Sequence, residues 1–400
     1  MHRIELHYTL SQGTGNRLIR NPLPEMLAAV AQEGSISGAA RALGLSYRHV
    51  WGALKRWEEQ LGSPLVVWGK GQAAQLSEFG AKLLWAERQA QARLAPQIAA
   101  LHADLERAFA VAFDPGAHVL TLYASHDDAL ALLREYAAAG VPPAGDPAAG
   151  SSGAGDPDAG TPPPARPRGA LHLDIRFAGS VDAIRALNEG RCTLAGFHTL
   201  EGAAPGSLTA RTYKPLLRPG THKLIGFARR TQGLIVARGN PLGVRQLADV
   251  AARGARFVHR PLGTGTRVLL GELLQREGLD EGALAAAGHA EPSHSAVAQA
   301  VASGAADAGL GIELAARAHG LDFVPLVHEH YHLACLKASL DQAPTLALRT
   351  LLQSPAWQAR MAALPGYAPA FCGQVLAMSA VLPWWKFSAQ KRIFGSTRKP

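Results

Sequence analysis

Apolar residues recur at helical spacing through the first hundred positions. From about residue 117 onward the pattern changes to strands alternating with helices. Between 47 and 61, Val50, Leu54, Trp57 and Leu61 share one helical face, while Tyr47, Arg48, His49 and Lys55 fall toward the other side. Just upstream, Ala39, Ala40 and Leu43 supply the inward face of a shorter helix. Gly44 permits a sharp reversal between the two. Ser35 and Ser46 stand where a short hydroxyl can cap each helix. Residues 34–51 therefore predict a helix-turn-helix, whose second helix usually enters the DNA major groove.

The following segments fit that reading. Residues 62–68 form a short apolar strand, Gly69-Lys70-Gly71-Gln72 a turn, and Ala73 to Leu76 a return strand. This predicts a wing with Lys70 at its tip, placed for a phosphate. Ser77 opens a long helix, from Glu78 to about Phe109, with Phe79, Leu83, Leu84, Leu94, Ile98, Leu101 and Leu105 among its apolar positions. An amphipathic helix that outruns its small domain suits a dimer seam. The candidate DNA contacts are Ser35, Ser37, Ser46, Tyr47, Arg48, His49, Lys55 and Lys70.

Beyond a hinge at 111–116, strands are predicted at 119–123, 171–177, 192–198, 233–237, 256–259, 307–310, 321–325 and 331–336. Helices fall between them at 127–139, 181–188, 266–277 and 295–303, which is the pattern of an α/β domain. Residues 141–169 interrupt it. Twenty of these 29 are Pro, Gly or Ala, too few large apolar side chains to offset the entropy of ordering. A helix precedes the segment and its partner strand follows, so it reads as a disordered loop inserted into one βαβ unit. The expected division is a head at 1–80, a linker helix at 81–116, a two-lobed domain at 117–370 and a basic aromatic tail at 371–400.

Composition narrows the class. Four hundred residues, 48% of them hydrophobic, suit two or three packed domains. No run is long and apolar enough to predict a membrane span, and the N-terminus lacks the apolar core of a signal peptide. Cys192, Cys335 and Cys372 are far apart and odd in number, which fits buried thiols in a reducing cytoplasm. The net charge of +9 is unevenly placed: residues 1–110 hold 12 Lys/Arg against 9 Asp/Glu, whereas 211–276 hold 13 against 2. The strongest basic block thus lies in the α/β part, where it can serve an anion, an acidic partner or DNA.

Two resemblances follow from these motifs. Gly-Ser-Ile-Ser-x-Ala-Ala at 34–40, Gly-Leu-Ser-Tyr at 44–47, Trp51 and the Gly-Lys-Gly loop before Leu76-Ser77-Glu78-Phe79-Gly80 resemble the winged helix-turn-helix of LysR-type regulators, and more closely that of the ModE repressors. Residues 117–370 resemble a type 2 periplasmic-binding-protein-like domain of the molybdate-related subgroup. The likeness is carried by 229–241, by Arg260-Pro261-Leu262-Gly263-Thr264-Gly265-Thr266-Arg267, by 294–298 and by 304–311. The resemblance implies a two-lobed fold with ligand held in the cleft. The small molybdate-binding modules of many ModE repressors are not recognisable here.

The ligand side chains are sought at strand ends. Gly263, Thr264, Gly265, Thr266 and Arg267 lie between a strand and a helix, where N–H groups, hydroxyls, the helix terminus and a guanidinium suit an oxyanion. The other reading is an ordinary Gly-rich turn with a capping Thr. Ser125, Gly179, Ser180 and His198 end the first three strands of this part, where ligands of open α/β sheets gather. Each serine can equally cap the helix after it. Tyr331 is a further candidate. His328, His330 and His332 share one strand face and read as a histidine row rather than a metal site. No nucleophile elbow is present.

These features predict a cytoplasmic, one-component transcriptional regulator and no enzyme. It would bind operator DNA as a homodimer or homotetramer, without a metal or cofactor, and sense a small anion: molybdate or tungstate, or formate linked to molybdoenzyme metabolism. The alternative is a solute-binding component for anion uptake or cofactor assembly.

Overall fold

The computed structural model describes residues 22–67, 73–113, 118–138 and 171–385. Its first unit contains α1 (Pro22–Glu33), α2 (Ile36–Leu43), α3 (Tyr47–Leu61), the two-residue strands β1 (Val66–Val67) and β2 (Gln75–Leu76), and the start of α4 (Glu78–Phe113). Ser35 Oγ accepts from the Gly38 N–H at 3.0 Å, and Ser46 Oγ accepts from the His49 N–H at 3.2 Å. Both serines therefore satisfy a donor of a first helical turn. Gly44 closes α2 at φ +67°, a left-handed conformation that a side chain resists. Leu27, Val30, Ala39, Val50, Leu54, Leu65 and Leu84 make the small core. Glu58 joins α3 to the wing, accepting from the Leu65 and Val66 N–H groups at 2.8 and 3.2 Å. A side chain at Gly80 would run into the Leu65 carbonyl, so α4 packs flush on β1. Strands β1 and β2 pair antiparallel as expected of a wing, whose tip with Lys70 lies outside the described residues. The helix α4 reaches Phe113, into the predicted hinge at 111–116.

The second unit begins with β3 (His118–Ala124), α5 (Asp128–Ala138), β4 (Leu171–Phe177), α6 (Ser180–Asn188), β5 (Leu194–Leu200), α7 (Leu208–Tyr213) and β6 (His222–Val236). It continues with α8 (Leu247–Ala252), β7 (Arg256–Val258), α9 (Gly265–Arg276), β8 (Ala285–Ala286), α10 (His294–Ala302), β9 (Ala308–Ile312), α11 (Glu313–Ala318) and β10 (Asp322–Leu336). It closes with α12 (Ala343–Gln353), α13 (Pro355–Ala362), β11 (Tyr367–Pro369), β12 (Val375–Leu376) and α14 (Met378–Val381). The strand order is β4-β3-β5-β10-β6-β9-β7-β8, with β11 and β12 added on β6. Apolar clusters cover both faces of this sheet. The neighbours β3 and β4 are parallel, so the insertion before β4 belongs to a single βαβ unit; its own residues, 141–169, lie outside those described.

Two strands differ from the sequence expectation. Each of β6 and β10 is 15 residues long, and they pair antiparallel from end to end. The predicted strands at 233–237, 321–325 and 331–336 are parts of them. The apolar pattern breaks at Arg229-Arg230-Thr231 and at His328-Glu329-His330, which hid the continuity. The half of β10 near Cys335 pairs with β5, and the half of β6 near Val236 pairs with β9. These strands run from one lobe, built on β3–β5, into the other, built on β7–β9. The predicted tail is also partly body: Cys372, Met378, Leu382 and Trp384 are buried, and β12 pairs with β6.

Candidate functional site

The lobes meet where strands and helices of both point their ends at one seam. From the first lobe come Ser125 after β3, Gly179 and Ser180 after β4, and His198 within β5. From the second come Arg260 after β7, Thr264 to Thr266 at the start of α9, and His294 opening α10. Ser125 Oγ lies 3.3 Å from Ser180 Oγ, and both serines are buried. Contact across the seam is close: a Cβ on Gly179 would sit 2.6 Å from the Gly263 carbonyl oxygen. One on Gly265 would sit 3.0 Å from both His198 Nδ1 and Ser180 Oγ. Thr264 caps α9, accepting from the Arg267 N–H at 3.3 Å and donating to the Pro261 carbonyl at 2.8 Å. Tyr331 is buried with its ring centroid 3.9 Å from that of His198. The sequence candidates Ser125, Ser180, His198, Gly265, Thr266 and Tyr331 thus come together, although they derive from five separate segments.

Several polar atoms at this seam are buried without a partner: both ring nitrogens of His198, His294 Nδ1, Tyr331 Oη and Arg260 Nε. Unsatisfied buried polar groups are costly, and those gathered here are suited to a polar ligand or to water. Burial, helped by Arg230 and other nearby cationic groups, holds His198 well below the usual imidazole range. Burial and the Arg260 charge do the same to His294. Burial pushes the Tyr331 phenol up, as does the Asp127 carboxylate. Arg260 is brought down to about 9 by burial and by Arg230, so it keeps its charge at neutral pH. Its Nη1 donates to the Glu291 carbonyl at 3.0 Å.

A second cation is spoken for. Arg230 pairs with Asp127 and with Glu329, all three fully buried. Burial pushes its pKa down, but Glu329 and Asp127 outweigh that and raise it. Tyr367 Oη donates to Asp127 at 2.9 Å, and Gln232 Nε2 bonds both Glu329 and Thr266, at 3.0 and 3.4 Å. This network sits where β6 and β10 pass from lobe to lobe. Arg260, by contrast, keeps a buried Nε that has no partner.

Arg267 is placed elsewhere. Its guanidinium pairs with Glu281 on the flank of the second lobe. Two residues into α9, about 200° around the helix from Gly265, its side chain faces away from the terminus that its backbone helps to build. Sequence reasoning missed Arg260 and His294. Both follow a feature visible in the sequence: Arg260 ends a strand, and His294 opens a helix. In the histidine row, His330 and His332 stack with ring centroids 5.9 Å apart, while His332 bonds Thr199 and His328 bonds Thr231, each at 3.1 Å. Among the described residues no group of three or more His, Cys, Asp or Glu is arranged to hold a metal ion. No described helix is long and apolar enough to cross a membrane.

In the first unit, Tyr47, Arg48 and His49 are exposed at the start of α3, beside exposed Ser37, Ser46 and Trp51. Ser35 is half-buried in its capping role. Lys55 is engaged with Glu58 at 2.7 Å, so its charge braces the joint between α3 and the wing.

Comparison with known proteins finds two separate matches along the chain. Residues 24–81 match the family model of the bacterial regulatory helix-turn-helix protein, lysR family, and residues 165–353 match that of the PBP superfamily domain. The chain therefore carries a LysR-type helix-turn-helix followed by a periplasmic-binding-protein-like α/β domain. A relative, the uncharacterized protein YvgK of Bacillus subtilis (strain 168), is 31% identical over 201 residues, half of this chain and 64% of that protein. Among solved structures, full-length CbnR complexed with its target DNA aligns with a TM-score of 0.34 and 15% identity, over 79% of this chain and 92% of that one. ArgP from Mycobacterium tuberculosis aligns with a TM-score of 0.34 and 19% identity, over 82% and 97%.

Proposed function

We propose that the chain is a DNA-binding transcriptional regulator whose two-lobed domain closes on a small anion. The observation that carries the ligand class is Arg260: a buried guanidinium, charged at neutral pH, whose Nε has no partner. Around it stand hydroxyls and neutral imidazoles, which donate to oxygen without adding charge. One buried cation with an unpartnered Nε, together with neutral donors and a helix N-terminus, suits a small oxyanion. Molybdate or tungstate is the first candidate, and formate the second. The exposed Tyr47, Arg48 and His49 would meet bases and phosphates of operator DNA, with α4 setting the spacing of paired heads in a homodimer or homotetramer.

The test has two arms. Calorimetry with molybdate, tungstate, sulfate, phosphate and formate should find one that binds, and failure of all five removes the oxyanion reading. A mobility shift on the DNA upstream of the protein's own gene should show sequence-preferring binding that Arg48→Ala weakens. Retardation indifferent to sequence at moderate salt sinks the regulator reading.

A further inference from the structure

The long helix α4, on which the head is packed, stands on both lobes of the body. Its earlier half rests on the second lobe. Arg93 forks onto Glu291, with Nη2 2.6 Å from Oε1 and Nε 3.0 Å from Oε2. Gln89 Nε2 donates to the same carboxylate at 2.9 Å, and Ser293 Oγ donates to the Ala92 carbonyl at 3.4 Å. The later half rests on the first lobe. There Arg176 of β4 donates to Asp104 at 2.7 Å, and Arg134 of α5 donates to the Ala99 carbonyl at 3.2 Å. Pro96 lies between the two footings. A proline inside a helix removes one ladder hydrogen bond and makes that point the natural place to bend.

Glu291 also reaches the seam. Its N–H donates to the His259 carbonyl at 2.8 Å, and its own carbonyl accepts from Arg260 Nη1 at 3.0 Å. Its carboxylate is 3% exposed, so this is a built joint rather than a surface ion pair. One residue therefore joins the guanidinium that faces the seam to the helix that carries the head.

We propose that Glu291 is a positioning residue through which the state of the interlobe seam is passed to the linker helix, along Arg260, Glu291 and Arg93, with Pro96 as the point of flexure. The inference rests on the seam being the ligand site, but the joint itself is testable without ligand. Coupling between two ends is reciprocal, so a disturbance at either end must be felt at the other. A contact that merely tethers the helix to Glu291 would leave residues 257–267, beyond it, unchanged.

Hydrogen exchange of the full chain, read by mass spectrometry, tests this. Arg93 is half-exposed, so Arg93→Met removes the fork without emptying a core. It should speed exchange roughly tenfold at 89–95 and also at 257–267 across the joint, and Arg93→Lys should restore most of the second effect. Arg260→Lys should speed exchange at 89–95. Acceleration confined to 89–95 in Arg93→Met, or no change there in Arg260→Lys, overturns the joint. Repeating the wild-type measurement with sodium molybdate separates the two ideas. Binding that leaves exchange at 89–95 unaltered also overturns the joint. Absence of binding counts against the oxyanion reading alone, and the ligand-free comparison then decides the joint.

Discussion

The head and the interlobe seam both carry function, but they are built in opposite ways. The head presents polar side chains outward from one continuous stretch: Ser46 to His49 are consecutive and exposed. Its buried positions are almost all apolar. The seam gathers polar groups inward from segments up to about two hundred residues apart, and buries them. The head can lose a functional side chain and keep its fold. The seam gives up stability along with function, because buried charges such as Arg230, Asp127 and Glu329 also hold its strands together.

The largest expected effect tests that contrast directly. Arg230→Leu leaves Asp127 and Glu329 buried without their cation, and Tyr367 and Gln232 cannot neutralise two carboxylates. Breaking a buried pair from one side costs about 3–5 kcal/mol. Urea unfolding should show that loss in the body, while Arg48→Leu in the head, at an exposed position, should shift stability by less than about 0.5 kcal/mol. Equal effects would erase the distinction.

Next is the choice between two arginines. Hydrogen bonds to charged groups contribute about 1.5–3 kcal/mol, so Arg260→Gln should weaken anion binding by roughly tenfold to a hundredfold. Arg267→Gln should change it by less than about threefold, since that side chain is held by Glu281. Calorimetry on both variants decides. The reverse ranking would return the site to the flank of α9.

The same pair shows what was legible in the sequence. Capping serines, the turn glycine and the apolar face of α3 act over a few residues, so the helix-turn-helix could be read almost to its ends. The turn at 263–266 was also legible, because backbone geometry is local. Which arginine lies at the seam was not, since that depends on where β7 and α9 place Arg260 and Arg267 in three dimensions. The long strands β6 and β10 stayed hidden for a related reason. A buried charge reads as a surface residue until its partner, Glu329 for Arg230, is known.

A pH series probes the buried side alone. Burial, then the neighbouring His330, lowers His332 from the usual 6.5 to about 3. Below 6.5 the unfolded chain takes up a proton that the folded chain refuses, so stability falls as pH falls, down to about 3. Between pH 6.5 and 5 this one group accounts for about 2 kcal/mol, at 1.36 kcal/mol per unit. His198 and His294 act in the same direction. Asp128 opposes them: burial, and next Asp127, raise it to about 6, so it favours the folded state more as pH falls through that value. Three histidines outweigh one carboxyl. Chemical unfolding at pH 7 and pH 5 should therefore show a less stable body at the lower pH, and a flat profile would mean that the imidazoles are hydrated.

The smallest effect sharpens the head, where one position serves fold and function at once. Ser46 caps α3 through the His49 N–H and is itself exposed on the face proposed for DNA. Ser46→Ala removes the cap and should cost the head about 0.5 kcal/mol, the low end of the range, because water reaches the freed N–H. Ser46→Asp keeps an acceptor at the cap and adds a negative charge that favours a helix N-terminus, so stability should hold or rise slightly. That charge also faces phosphate. If the surface reads DNA, the aspartate variant must be the more stable and the weaker binder of the two. Thermal unfolding and mobility shift on both proteins give the two rankings independently. Should stability and DNA affinity rise together from alanine to aspartate, the α3 face is not the one that meets the phosphates.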